Sequence, residues 1–256
     1  MSVLKVEGVS KSFDSEKIIE NISLELHEGE LVSLLGVSGG GKTTLFNIIA
    51  GLSIPDEGDV WLDGEKVTGQ AGTVSYMLQK DLLLPYRTIL DNVALPLRVL
   101  GMKKKEARQI AVPYFAEFGL EGTEKKYPAQ ISGGMKQRAA LLRTYLFSIK
   151  RGKKVALLDE PFSALDMLTK QAIHEWYLDV MEKIQLSTIF VTHDIDEAIL
   201  LSDRIYLLTG KPGVITKEIV IKEPKPRRKD FHLTEEFLRY KRTILEHLSY
   251  DFVEKR

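Results

Sequence analysis

Gly36-Val37-Ser38-Gly39-Gly40-Gly41-Lys42-Thr43-Thr44 follows the apolar run Leu31-Val32-Ser33-Leu34-Leu35 and leads into the amphipathic segment Leu45-Phe46-Asn47-Ile48-Ile49-Ala50. This pattern predicts a strand, a glycine loop and a helix start. Glycines at 36, 39, 40 and 41 let successive backbone N–H groups converge on anionic oxygens with no Cβ in the way, and the helix N-terminus adds the positive end of its dipole. The whole stretch, Ser38 and Thr44 included, is therefore expected to bind a phosphate chain. Lys42 would reach the β- and γ-phosphates, and the Thr43 hydroxyl would ligate Mg²⁺. A glycine turn that merely joined strand to helix would require neither the lysine nor the hydroxyl.

The rest of the composition narrows the setting. A chain of 256 residues can bury a full core and suits one large α/β domain, or a domain carrying an insertion, better than two equal domains. Lys plus Arg and Asp plus Glu balance at 36 each, which argues against a dedicated nucleic-acid binder. With no cysteine there is no disulfide, thiolate zinc site or cysteine nucleophile, as suits a reducing compartment. Met1-Ser2-Val3-Leu4-Lys5-Val6-Glu7 carries charges where a signal peptide needs an apolar core, and no apolar run approaches the roughly 18 residues of a membrane span. A soluble cytoplasmic protein is expected, one that works at a membrane only through a partner.

Residues 3 to 9 and 22 to 26 alternate apolar and polar side chains, as half-buried antiparallel strands do. Phe13 stands at a strand end, where an aromatic face either stacks on a nucleobase or simply packs. Thr73-Val74-Ser75-Tyr76-Met77-Leu78 reads as a strand ending at Gln79. Taken alone Gln79 is a solvated strand end; at the carboxyl-end crevice of an open α/β sheet it could instead touch metal or attacking water. From residue 82 the pattern turns helical, over Thr88 to Leu100, Lys104 to Phe118 and Met135 to Phe147, which suggests an inserted helical subdomain. Its entrance, Leu82-Leu83-Leu84-Pro85-Tyr86, is either a docking surface or a buried linker. Asp91, Glu106 and Lys103-Lys104-Lys105 are expected on solvated helix faces. Ser132, Gly133 and Gly134 open the third helix, either as a second anion site or as an ordinary N-cap.

Val155-Ala156-Leu157-Leu158 suits a parallel strand buried on both faces, and Asp159-Glu160 at its carboxyl end has no structural reason to be acidic. Asp159 can hold Mg²⁺ directly or through water, and Glu160 can take a proton from an attacking water. A turn at Ser163-Ala164-Leu165-Asp166 leads to a helix from Met167 to Ile184. Thr188-Ile189-Phe190-Val191-Thr192 is a further buried strand ending at His193, a γ-phosphate partner or a satisfied structural histidine. Arg204 to Leu208 and Val214 to Ile221 make a hairpin around Gly210-Lys211-Pro212-Gly213; the basic stretch from Lys222 to Lys229 reads as a solvated linker, or as a contact with anionic lipid or a partner, and Thr234 to Lys255 as a helical tail.

Taken together, Gly36 to Thr43, Gln79, Ser132 to Gln137, Leu157 to Glu160, Ser163 to Asp166 and His193 stand in the order and approximate spacing of an ATP-binding cassette ATPase, which the chain resembles from end to end. The resemblance implies an α/β phosphate-loop NTPase core with an antiparallel β subdomain and an inserted α-helical subdomain. It would divide the single domain into a core (1–81 and 149–230), a helical subdomain (82–148) and a tail (231–256). It makes Phe13 the adenine-stacking aromatic, Gln79 the Q-loop residue, Ile131 to Gln137 the signature motif, Ser163 to Asp166 the D-loop with Asp166 at the nucleotide, and His193 the switch histidine. Lys42, Gln79, Glu160 and His193 would be catalytic, with ATP and Mg²⁺ as cofactors. Ile131 and Met135 depart from the usual signature Leu and Gln.

Leu82 to Val93, the signature methionine and Ser202-Asp203-Arg204 through Pro212-Gly213 resemble the nitrate, sulfonate and taurine importer branch, which also holds importers of thiamine-precursor pyrimidines. That resemblance implies a head-to-tail pair of copies in which each Ser132 loop faces the partner's Gly36 loop across ATP. It also implies a membrane permease, indirectly a solute-binding protein, no nucleic acid, and a place on the inner face of the cell membrane. The rival reading is a soluble cassette ATPase uncoupled from transport; such proteins generally carry a long coiled-coil insertion or tandem cassettes, and this sequence shows neither.

Overall fold

A computed structural model of the chain describes residues 2–37, 39–152, 155–163, 167–225, 227–228 and 230–253. In chain order it runs β1 (Ser2–Phe13), β2 (Glu16–His27), β3 (Leu31–Gly36), α1 (Lys42–Ile49), β4 (Glu57–Leu62), β5 (Glu65–Lys66) and β6 (Ser75–Met77). Next come α2 (Ile89–Val93), α3 (Leu95–Val99), α4 (Lys104–Ala111), α5 (Tyr114–Glu117), α6 (Gly133–Arg151), β7 (Val155–Asp159) and α7 (Met167–Ile184). The last elements are β8 (Ser187–Thr192), α8 (Ile195–Leu201), β9 (Arg204–Thr209), β10 (Val214–Val220) and α9 (Glu235–Val253). They fall into two compact units, Met1–Thr73 with Ser187–Arg256, and Val74–Leu186; the expected helical segment 82–148 lies wholly within the second.

The first unit holds an antiparallel sheet in the order β2-β1-β4-β5 and a second array in the order β10-β9-β3-β8. β1 and β2 are longer than their alternation suggests, because they meet in a two-residue turn at Asp14 and Ser15, both in the left-handed region. That is the geometry of a type I′ hairpin, reached here without the usual Asn-Gly. Every residue of β3, β8 and β9 is buried, as parallel strands covered on both faces must be. Arg204, at the start of β9, donates to both Glu30 oxygens at 2.9 and 2.7 Å and to the Glu25 carbonyl at 3.1 Å. Burial pulls its guanidinium down, but the paired Glu30 carboxylate outweighs this and holds it above its ordinary value.

The basic stretch after β10 departs from the expected solvated linker. Arg227 donates to the carbonyls of Leu200, Ser202 and Glu223, and Lys225 to Asp203 at 2.6 Å. The cations thus find fixed acceptors at the α8–β9 corner. Beyond them, Phe231, Phe237 and Ile244 join Leu35, Ala198, Ile199 and Ile205 in one apolar cluster, which seats α9.

In the second unit β6 runs parallel to β7, and α6 packs on both strands and on α2 and α3. The pattern expected as one helix over Thr88 to Leu100 is broken near Ala94, where Pro96 cannot donate to the ladder, and the next one is broken at Pro113. α6 is longer than its pattern, from the Ser132 N-cap to a left-handed Gly152.

Asp91, expected in solvent, accepts from Arg108 Nε and Nη2 at 2.8 Å each and pairs with Lys104 at 3.1 Å. These contacts, the Arg108 hydrogen bond first, hold its carboxyl below the ordinary 3.8. A depressed carboxylate stabilises the fold above its unfolded pKa and loses that contribution as pH falls through the folded value. Asp91→Asn is therefore expected to cost about 1 kcal/mol at neutral pH, discounted for the partly exposed Arg108. Urea titrations of variant and parent should begin to converge as pH drops below 3.8 and meet once it has passed the lower folded value.

Candidate functional site

In the first unit the candidate residues gather at the carboxyl ends of β3 and β8. Leu35 lies opposite Thr192 in parallel register, so the glycine loop leaves β3 beside the point where β8 delivers His193. Gly41 caps α1 with φ 89, a left-handed conformation that also brings its backbone against β2. A Cβ there would stand closer than 3.0 Å to Ile19 Cγ2, and one on Gly36 equally close to the Leu208 carbonyl oxygen. Lys42 is buried, its Nζ donating to the carbonyls of Gly36 and Val37 at 2.8 Å each. Thr43 is exposed and Thr44 half-buried on the first helical turn, whose N–H groups have no partners within the helix.

His193 is exposed on a turn that the sequence reading did not resolve. The Asp194 N–H donates to the Thr192 hydroxyl at 3.0 Å, and that hydroxyl donates to Glu197 Oε2 at 2.6 Å. Asp194 Oδ1 accepts from the N–H groups of Asp196 and Glu197 and caps α8. Thr192 and the buried Glu197 thus fix the residues on either side of His193. A threonine five residues before an α8 glutamate was the available signal, and it acquires meaning only once the helix start is known. Phe13 lies at the tip of the β1–β2 hairpin with its ring 49% exposed and Lys11 Nζ 5.5 Å from the centroid.

In the second unit the candidate residues gather at the carboxyl ends of β6 and β7. Met77 is level with Leu158, so Gln79 and Glu160, each two residues further on, come side by side, and Gln79 Nε2 donates to Glu160 Oε2 at 2.8 Å. Asp159 is buried, with the Tyr76 hydroxyl 3.5 Å from its Oδ2. Burial first, and then the Asp159 charge, push the Tyr76 phenol well above its ordinary value, so it stays a neutral donor beside the carboxylate. Glu160 has φ 45, an uncommon conformation for a residue with a Cβ, and its carbonyl accepts from the Ser163 N–H and hydroxyl.

The loop after Gln79 is tied down as well. Arg143 of α6 donates to the Asp81 and Leu82 carbonyls, while the buried Asn92 bonds backbone groups of Leu84, Arg87 and Thr88. Leu83 is buried, whereas Leu82 and Tyr86 point outward, 52% and 71% exposed, so the apolar run is half linker and half surface. Ser132 and Gly133 are exposed at the start of α6, and the Ser132 hydroxyl accepts from Met135 N–H at 3.3 Å. Gly39 and Gly134 are accessible on their respective loops, whereas Gly40 is buried. Ser38 and Asp166 lie outside the described residues.

A family model described as ABC transporter matches residues 19–163, more than half of the chain. The chain belongs to that family. It is 47% identical over 211 residues to the formylaminopyrimidine import ATP-binding protein ThiZ of Halalkalibacterium halodurans, covering 82% of this chain and 81% of that one. Against the aliphatic sulfonates import ATP-binding protein SsuB of Bacillus cereus the identity is 39% over 251 residues, with 96% of each chain covered. Among solved structures, the dimeric post-hydrolysis state of the ATP-binding cassette MJ0796 bound to ADP and Pi is 31% identical, with a TM-score of 0.71 over 86% of this chain and 99% of that one. As an ABC cassette, the chain is an ATPase with the family's α/β fold.

Because Gly41 needs both its left-handed φ and its missing Cβ, Gly41→Ala is expected to destabilise the chain by more than about 1 kcal/mol. Thermal unfolding of the nucleotide-free protein checks this, with Gly39→Ala as the milder comparison, since a Cβ on Gly39 meets nothing within 4 Å.

Proposed function

We propose that this ABC ATPase is the nucleotide-binding subunit of an importer, in which two copies close head to tail around two ATP and drive solute uptake through a separate membrane permease. The observation that carries the reading is the pairing of Gln79 with Glu160 at level strand ends, 2.8 Å apart, beside a buried Asp159. It gives hydrolysis a base, a polar group to sense the γ-phosphate and a metal-ligating carboxylate within one turn of structure.

In this reading Phe13 stacks on adenine, and the amides of Gly36 to Thr44, Ser38 included, hold the phosphates. Lys42 exchanges two carbonyl acceptors for phosphate oxygens, whose full negative charge attracts the ammonium more strongly than a carbonyl dipole does. Glu160 takes the proton of the water that attacks the γ-phosphate in line, while Gln79 and His193 touch the γ-phosphate from their strand ends. Ser132, Gly133 and Gly134 meet the ATP held by the partner copy, and Asp166 lies at the same dimer contact.

Mg²⁺ takes only a few protein oxygens and completes its shell with phosphate and water. The Thr43 hydroxyl, the Asp159 carboxylate and the Gln79 carbonyl oxygen, left over when its amide nitrogen is spent on Glu160, suit that donor set. No cluster of three or more His, Cys, Asp or Glu that would cage a metal by itself occurs among the described residues. When bound, the ion neutralises charge on the β- and γ-oxygens.

Among the described residues no helix is long and apolar enough to cross a membrane. In this reading the permease brings the subunit to the bilayer's inner face. The exposed Leu82 and Tyr86, on a loop fixed by Arg143 and Asn92, supply the docking surface. The similarity to ThiZ and SsuB supports a small organic solute or anion as cargo, delivered by a solute-binding protein: a thiamine-precursor pyrimidine, a sulfonate or a chemically similar compound such as taurine or nitrate.

Glu160→Gln tests the mechanism. Steady-state ATP hydrolysis is expected to fall about 10²–10⁴-fold, the usual contribution of a positioned base, and the variant should elute as a dimer when sized with ATP. A variant that hydrolyses normally and stays monomeric with ATP would sink the assignment.

A further inference from the structure

The hairpin tip between β9 and β10 has no part in the roles assigned so far, yet it is seated against the phosphate loop. Gly213 N–H donates to the Ile18 carbonyl at 2.8 Å, and the Gly213 carbonyl accepts from Glu20 N–H at 3.0 Å. These two bonds stitch the tip to β2, parallel to Ile19. On its other side Gly213 abuts the loop. An added Cβ would lie closer than 3.0 Å to the Gly40 carbonyl oxygen, 3.3 Å from the Gly40 carbonyl carbon and 3.5 Å from the Ile18 oxygen. Backbone thus meets backbone, with glycine on both sides of the contact.

Two more glycines of the loop lie too close to a neighbour to carry a Cβ. Gly36 faces the Leu208 carbonyl of β9, and Gly41 faces Ile19 of β2. The three supports are themselves bonded to one another, through the β9–β10 ladder that pairs Thr209 with Val214 and through the stitches at Ile18 and Glu20. Gly40 cannot draw back from a ligand without moving the hairpin, and the hairpin cannot move without breaking its bonds to β2. The bend of the loop is therefore set from behind.

We propose that Gly213 is a positioning residue for nucleotide: the hairpin tip is the rear wall of the phosphate loop and sets where the amides of Gly39 to Gly41 stand relative to the phosphates. The proposal rests on the reading that this loop holds the phosphates of ATP. Gly213 is outside the group of left-handed glycines, so alanine there meets no backbone penalty and its effect is confined to the clash with Gly40. Since the Gly213 carbonyl and N–H are pinned to β2, the clash is relieved by displacing the loop.

The test is a calorimetric titration of Mg-ATP into the full chain, for the parent and for Gly213→Ala, Ile19→Ala and Lys42→Ala, together with thermal unfolding of each without nucleotide. Gly213→Ala is expected to raise the ATP dissociation constant about tenfold or more, what losing one charge-assisted hydrogen bond to phosphate gives. KM should rise with it, while kcat changes less. A purely structural glycine would lower the unfolding temperature and leave the affinity of the folded protein within about twofold of the parent, and that result overturns the proposal. If Gly213→Ala fails to fold, Ile19→Ala decides, because it removes the wall under Gly41 without adding bulk. Weaker ATP binding supports the proposal, and parental affinity overturns it. Lys42→Ala separates the two levels: if it binds ATP like the parent, the phosphate-loop reading itself falls, and if it loses ATP while Gly213→Ala does not, only the rear wall falls.

Discussion

Two parallel strand registers govern what this cassette can do. Level pairing of Leu35 with Thr192 makes the glycine loop and the His193 turn neighbours, and level pairing of Met77 with Leu158 does the same for Gln79 and Glu160. Within each parallel pair the strands end on the same side, so the polar residues placed just beyond the last apolar positions of the two partners come side by side. A slip of one residue would turn the side chains of a whole strand to the other face. What holds the register is burial on both faces, together with anchors such as Arg204, which ties the start of β9 to the residue preceding β3.

The site was legible in the sequence to the extent that its parts are local. The phosphate loop announces itself because glycines, a lysine and a hydroxyl sit between an apolar strand and a helix, and Asp159-Glu160 because acids end a strand that is otherwise wholly buried. The Gln79–Glu160 bond was not legible, since it depends on the pairing of two strands separated by a long helical stretch. The β1–β2 hairpin was overlooked for a different reason: Asp14 and Ser15 take left-handed conformations that short polar residues tolerate but do not advertise. Arg227 shows the limit of charge patterning, because a basic, proline-interrupted run looks solvated until the carbonyls at the end of α8 are known to lie beside it.

The unusual signature residues fit the same picture. Ser132 caps α6 through the backbone N–H of residue 135, so a methionine there serves the cap as well as a glutamine. The role proposed for the loop calls on a hydroxyl and main-chain amides, and it places no demand on the side chain at 135. This is why a chain can depart from a motif in sequence and keep its chemistry.

Glu160 carries a further implication through its left-handed backbone. A proteinogenic residue other than glycine finds that conformation uphill, and the neighbouring Ser163, bonded twice to the Glu160 carbonyl, holds it there. The carboxylate is therefore aimed by a sprung turn. Its direction is a property of the loop as well as of its own rotamer, so a change three residues downstream can redirect the carboxylate proposed as the base without touching it.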